Sequence, residues 1–233
     1  EMPNFSFKKE VEVRLVDSGG VRHTIDVSEI DFGQTFQQKS FEVKTLHNQS
    51  SFEGSVINRA NPAEFSLNTP LLVDTKNKVL FDRLLDSATF DLYISTQSND
   101  VWKLEKCVIQ DGTFEINKSR PLRLAISGEA SKLSKLSGTI ASLTADNTIP
   151  GSDPTFPAPT YIVPSITTLT IGSEDISDCV VSLSVEIQND INWNNYNTLQ
   201  GAASATNAAN SMYPTNFTTG TRILAGSITK YLK

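Results

Sequence analysis

The chain has 233 residues, 26 acidic against 20 basic side chains, a net charge of −6 and 38% hydrophobic content. That content is enough for a real core, in one large all-β domain or two small ones, and argues against disorder of the whole chain. An isoelectric point near 5.0 argues against a nucleic-acid binder that works by neutralising phosphates, which needs a clustered basic face.

From Ser6 to Val27 the pattern reads as a hairpin. Val11, Val13 and Leu15 alternate with Glu10, Glu12 and Arg14, Asp17-Ser18-Gly19-Gly20 supplies the turn, and Val21, His23, Ile25 and Val27 return. Ser28 to Ser40 reads as a polar loop carrying Gln34, Gln37, Gln38, Phe32 and Phe36. Its phenylalanines suit either a partner surface or packing onto their own domain. A third strand follows at Phe41 to Leu46, and Asn61-Pro62 and Thr69-Pro70 punctuate the segment after Phe52 to Ile57.

One helix is expected, capped by Asp74 or Thr75, with Val79, Leu80, Leu84 and Leu85 on one side and an end near Asp86-Ser87. Further strands are expected at Thr89 to Ser95, Val101 to Gln110, Thr113 to Asn117 and Leu122 to Ala130. In the last of these Leu122, Leu124 and Ile126 face one way and Arg123, Ala125, Ser127 and Glu129 the other. Residues 1–145 are therefore expected to form one β unit with a helix near 75–87. Residues 146–164, with Pro150, Pro154, Pro157, Pro159 and Pro164, read as a linker. Residues 165–233 read as a second, smaller β unit that docks on the first or belongs to a longer protein.

Between Lys135 and Arg222 there is no lysine or arginine, yet Asp146, Asp153, Glu174, Asp175, Asp178, Glu186 and Asp190 are present. Within this stretch Val181, Leu183, Val185 and Ile187 alternate with Ser182, Ser184, Glu186 and Gln188, the two-residue period of a half-buried strand. Its exposed side offers nothing for a phosphate to hold. A strand at Thr167 to Ile171, an Asn/Ala/Thr-rich loop from Asn189 to Thr219 and a final strand at Arg222 to Leu232 complete the reading.

No catalytic residue, cofactor site or metal site is expected. His23 and His47 have no second ligand at metal spacing, and no nucleophile motif, phosphate loop or dinucleotide fingerprint is present. Glu174, Asp175 and Asp178 are an acidic cluster that reads as a solvated turn, a calcium-bound turn being the alternative. Cys107 and Cys179 read as free thiols. Trp193 and Tyr196 suit either a loop anchor or a sugar platform, and an all-β carbohydrate-binding virion or surface module is the alternative function. No window reaches the roughly 20 apolar residues of a membrane-spanning helix and no signal peptide is evident, so folding in a cytoplasm without a membrane is expected.

The order of these segments resembles the major tail tube proteins of siphophages. The resemblance rests on the N-terminal hairpin, the Gln/Phe-rich loop, Phe41-Glu42-Val43-Lys44-Thr45-Leu46-His47 and the lone helix. It continues through Phe90-Asp91-Leu92-Tyr93-Ile94, Lys106 to Gly112, Leu124 to Ala130, Ile176 to Trp193 and Gly220 to Thr229. The resemblance implies a mainly β fold, a tail-tube-type sandwich or barrel with one short helix. It also implies a structural virion protein whose copies form hexameric, or trimeric and pseudo-hexameric, rings that stack into a conduit for DNA ejection. Implied partners are further copies, the tape measure, terminator and distal tail proteins, and genomic DNA in transit; the implied location is the virion tail, assembled in the host cytoplasm. By the same resemblance Asp26, Glu42, Ser182, Ser184, Glu186 and Gln188 are candidates for the lumen. Phe32, Gln34, Phe36, Gln38, Trp193 and Tyr196 are candidates for contacts between rings or subunits.

Overall fold

The structure, a computed structural model, describes residues 11–45, 48–73, 77–96, 100–118, 120–155, 160–161, 165–194 and 212–231. Strands β1 (Glu12–Asp17) and β2 (Arg22–Ile25) form the expected hairpin, with Val13 across from Ile25 and Leu15 from His23. The segment expected to be a polar loop instead holds β3 (Glu29–Gly33) and the start of β4 (Phe36–Thr45), whose one strand partner among the described residues is β5 (Asn48–Ala60). In β3 Glu29 and Asp31 alternate with Ile30 and Phe32, which pack inward; Gln37 and Gln38 lie on β4, and Gln34 lies in the connection between the two strands. Strands β6 (Ala63–Pro70) and β7 (Leu72–Val73) precede α1 (Lys78–Asp86).

Helix α1 starts later than expected. Its N-cap is Asn77, whose side chain is committed elsewhere: it donates to Pro70 O at 2.6 Å and accepts from Asp26 N at 3.1 Å. Ser87, in a left-handed conformation, closes it. Burying Val79, Leu80 and Leu84 contributes at most about 5–9 kcal/mol by transfer scales.

After α1 come β8 (Phe90–Ser95), β9 (Asp100–Asn117), β10 (Arg123–Ala130), β11 (Lys132–Ser137) and a second helix, α2 (Ile140–Ala145), in place of the single helix expected. Thr139 caps α2 reciprocally with Ser142, a box built from a serine rather than the glutamate that advertises one. Three two-residue strands follow, β12 (Thr160–Tyr161), β13 (Thr170–Ile171) and β14 (Glu174–Asp175), before the long β15 (Val180–Asn194) and β16 (Asn216–Lys230).

The 18-residue β9 organises the molecule. Its first half lies between β8 and β11, and its second half between β10 and β15, so the strand belongs to two lobes of one sheet. One lobe runs β2-β1-β8-β9-β11 and the other β3-β6-β10-β9-β15-β16. The expected break at Asp111-Gly112 is absent. Gly112 serves packing there, since a Cβ on it would meet Leu84 Cδ2 of α1 at 2.2 Å.

The lobes share a core of Val13, Leu15 and Ile25 with Leu92, Ile94, Leu104, Phe65, Leu67, Leu124, Ile126 and Ile187, joined by the buried side of α1. A second cluster, in which Ile140 and Leu143 of α2 and Ile149 meet Val16, Tyr93 and Val101, covers the back of the first lobe. Among the described residues no second layer covers the other face of the second lobe.

The residues read as a linker and second unit are woven into this sheet. Ile149 is fully buried, Ser152 bridges to Val21, and Asp153 grips the Arg22 guanidinium through two 2.8 Å bonds. β15 pairs with the edge of β9 and carries β16 with it, so the two long strands beyond the prolines belong to the main sheet, while β13 and β14 pair only with each other among the described residues. Three strands cannot bury a core unaided, and the edge of β9 gives them one.

Candidate functional site

The open face is built from six strands and can be read from their registers, because residues directly opposite share a face. Ser182, Ser184, Glu186 and Gln188 of β15 stand across from Asn117, Glu115, Thr113 and Asp111 of β9. On one side Glu115, Thr113 and Asp111 lie across from Arg123, Ala125 and Ser127 of β10. Those in turn oppose Pro70, Asn68 and Ser66 of β6, with Glu129 opposite Glu64. Glu29 and Asp31 of β3 complete the row. On the other side Thr229, Ser227, Ala225 and Ile223 of β16 face Ser182, Ser184, Glu186 and Gln188.

The face is therefore small, polar and acidic. Glu29, Asp31, Glu64, Asp111, Glu115, Glu129 and Glu186 share it, with Arg123 as the cation these registers place on it. Amides and hydroxyls brace some carboxylates: Gln188 donates to Glu186 at 2.9 Å, Asn68 to Glu29 at 3.0 Å and Ser127 to Asp111 at 3.3 Å. Burial, then the charge of Glu64 opposite, raises the Glu129 pKa above the ordinary glutamate value, opposed by the Trp193 and Gln110 side chains. The Trp193 indole N–H is buried and turned to this carboxylate without reaching ordinary hydrogen-bond geometry.

Beside this face lies an open edge. One side of β16 pairs with β15 from Asn216 to Lys230, and its other side has no strand partner among the described residues. Ile223 and Leu224 project to opposite faces, 57% and 70% exposed. A long unpaired edge with exposed aliphatic side chains is a template for another strand. Its base is fixed by Asn189, which donates to Leu84 O and Ile109 O and accepts from Arg222 Nε at 2.6 Å.

Ser182, Ser184, Glu186 and Gln188 thus stand in one row of this face, and Asp26 does not. Asp26 lies between β2 and β3, its main chain held on the core side by Asn77 and by Thr69, whose hydroxyl donates to Asp26 O at 2.6 Å. Glu42 is in the separate β4–β5 ladder, in register with Glu53. Phe32 is half-buried against Trp102, with ring centroids 6.2 Å apart. Gln34 is a brace, its amide donating to Asn61 O and Ser131 O and accepting from Leu133 N. Phe36 is 46% exposed and meets Tyr213 edge-on, and Gln38 is exposed on β4. Trp193 packs on Phe217 across the β15–β16 ladder, with ring centroids 5.1 Å apart, as a loop or strand anchor does. Tyr196 lies outside the described residues, as do Asp74, Thr75 and His47.

The contributions of β3, β6 and the second half of β9 were not assembled from sequence. The alternation of Arg123, Ala125, Ser127 and Glu129 was visible, but nothing local says that β10 shares a face with β15 through β9. Among the described residues no group of three or more His, Cys, Asp or Glu side chains is arranged to hold a metal ion. Asp175 instead accepts from both the main-chain N–H and the hydroxyl of Ser177. Cys107 and Cys179 are both free thiols, and burial pushes the pKa of Cys107 well up.

Residues 3–85 match the model of the bacteriophage baseplate tube protein family. The baseplate tube protein p140 of Escherichia phage T5 is 23% identical over 150 residues, covering 57% of this chain and 50% of that protein. The chain therefore spans about half the length of the curated relative it matches. A chain of the anti-feeding prophage baseplate superposes over 58% of this chain and 98% of its own at 13% identity, with a TM-score of 0.41. A chain of the sheath-tube complex of the PVC extracellular contractile injection system does so over 58% and 94% at 10% identity, with a TM-score of 0.40. Both structural likenesses are slight, and the fold stands on the strand order given above. The chain is mainly β and is similar to phage tail and baseplate tube proteins.

Proposed function

We propose that the chain is a structural subunit of a phage tail or baseplate tube, in which copies join edge to edge through β16 into a ring and turn the acidic face to the lumen. The observation that carries this reading is the combination of a six-strand acidic face with an edge of β16 that has no strand partner among the described residues. Closing a ring pairs each such edge and removes the aggregation hazard it poses. A lumen lined by carboxylates and hydroxyls repels a passing polyanion and offers few cations to bind phosphate, so DNA slides without being held.

The relatives matched are named as baseplate tube proteins, which favours a position in the baseplate over one in the long tube. Six copies per ring, or three copies of a chain with two tube folds, both belong to this reading. Other tail proteins above and below the ring, assembly in the host cytoplasm and residence in the virion follow from the same reading, as does a structural rather than enzymatic role.

Thiol labelling tests it. In a Cys179→Ser background that leaves only the buried Cys107, Ser184→Cys in assembled particles should react with a small maleimide and resist a maleimide carried on a bulky polymer. Equal reaction with both reagents in intact rings would place this face outside and overturn the reading.

A further inference from the structure

The acidic face is polarised along the strands. At one end a depression of about 560 Å³ is lined by Asp31, Glu64 and Glu129 and, among the described residues, by no cation. At the other end a depression of about 430 Å³ is lined by Arg120 and Arg123 with Glu115 and Asn117. β10 carries Arg123 at the second end and Glu129 at the first; six residues of strand separate them by about 20 Å.

Glu115, across from Arg123, offsets part of the charge at the cationic end, and the anionic recess has no cation in its described lining. Among the described residues the side chains of Arg120 and Arg123 make no ion pair or hydrogen bond, and Asp31, Glu64 and Glu129 make no ion pair. The arginines sit at the tip of the β9–β10 connection, where Arg120 and Pro121 are exposed, while the carboxylates open beside Gln34, Thr35 and Pro62 at the opposite end. An exposed cationic end and an open anionic recess on one chain are complementary in charge across two copies placed end to end.

We propose that the Arg120/Arg123 tip of one copy seats in the Asp31/Glu64/Glu129 recess of a second copy, a head-to-tail contact that joins one ring to the next. This contact rests on the ring reading, and it differs in kind from the β16 edge. It is heterologous and propagates along the strands, so it elongates an assembly rather than closing it. A second copy is favoured over nucleic acid because the matching recess is on the same chain, and because the surrounding face and the net charge of −6 repel polyanions. Partly exposed charge pairs of this kind weaken with salt.

Sedimentation velocity of the purified chain tests the contact with two charge-reversed variants, Arg120→Glu/Arg123→Glu and Asp31→Lys/Glu64→Lys. All four positions are exposed, so both variants should fold. Wild type should form elongated species that are lost on raising salt, and each variant alone should lose them. An equimolar mixture should regain them, because every tip then faces a recess of opposite charge. Absence of elongated species in wild type, or failure of the mixture to recover them, would overturn the inference. So would a change confined to binding of a short DNA duplex, which would make the arginines a phosphate contact instead. Ring formation is scored separately by mass photometry with Ile223→Asp/Leu224→Asp. Rings lost in that edge variant but kept in both charge variants leave the ring reading standing whatever becomes of the stacking contact.

Discussion

Replacing Asp153 should unfasten the proline-rich segment from the sheet. The Arg22 side chain is 8% exposed, donates through Nε and Nη2 to the two Asp153 oxygens at 2.8 Å, and places Nη1 3.0 Å from Ile149 O. Arg14 adds a longer contact at 3.5 Å. Charge-assisted bonds contribute about 1.5–3 kcal/mol each when dry. The Asp153 side chain is 51% exposed, so water screens the pair and replaces part of it. Asp153→Ala should therefore cost about 2–3 kcal/mol, most of it from an almost buried guanidinium left unpaired. Asp153→Asn, which keeps one acceptor, should cost about 1–2 kcal/mol.

The pH dependence has a defined sign. The hydrogen bonds from Arg22 hold the Asp153 carboxyl below its ordinary value, so its contribution is complete above about pH 4 and disappears as pH falls through the lower folded value. Urea unfolding at neutral pH and near pH 3 measures both effects, with the gap between wild type and variant narrowing in acid. A neutral-pH difference below about 0.5 kcal/mol, or a gap that persists unchanged in acid, would refute the reasoning.

Three further outcomes are expected. Gly128→Ala puts a Cβ 2.2 Å from Val108 O and 2.7 Å from the Phe65 ring; because a backbone atom blocks it, the cost should reach about 2–3 kcal/mol in a thermal or urea melt. Burial and Glu64 raise the Glu129 pKa, so the ionised group works against folding and stability declines as pH rises from the ordinary glutamate value to the folded one. Glu129→Gln should remove that slope while shifting neutral-pH stability by under about 1 kcal/mol. Ile223→Asp/Leu224→Asp, at two exposed positions on an edge strand, should leave monomer stability within about 0.5 kcal/mol and abolish rings seen by electron microscopy.

The strands with strict alternation were legible because a period of two reports a buried and a solvated face directly. Val185, Ile187, Leu124 and Ile126 all lie on the side that the pattern indicates, whereas Val181 is displaced by a bulge and left partly exposed. Helix α1 was legible in its apolar stripe but not in its start, because Asn77 uses its side chain to tie down Asp26 and Pro70 rather than to cap.

The misreadings share a cause, namely turn-forming residues recruited for long-range packing. Asp111-Gly112 looks like a turn and is a point of close approach for Leu84. Asn189 looks like the start of a loop and is a buried clamp on α1, β9 and Arg222, so residues 189–194 and 216–219, expected in a long loop, lie on β15 and β16. Half of the acidic face was visible as the exposed residues of single strands. Its extent was not, because it depends on β9 bringing together segments some 70 residues apart, as in the pairing of Thr113 with Glu186.

The most direct test of the central claim is a cryo-electron microscopy reconstruction of the particles that the purified chain forms. A ring in which β16 of each copy continues into the sheet of the next, with Glu186, Glu115 and Asp111 facing a channel wide enough for a duplex of roughly 20 Å, is the expected result. A ring with those carboxylates on its outer wall, or copies joined without the β16 edge, would contradict it.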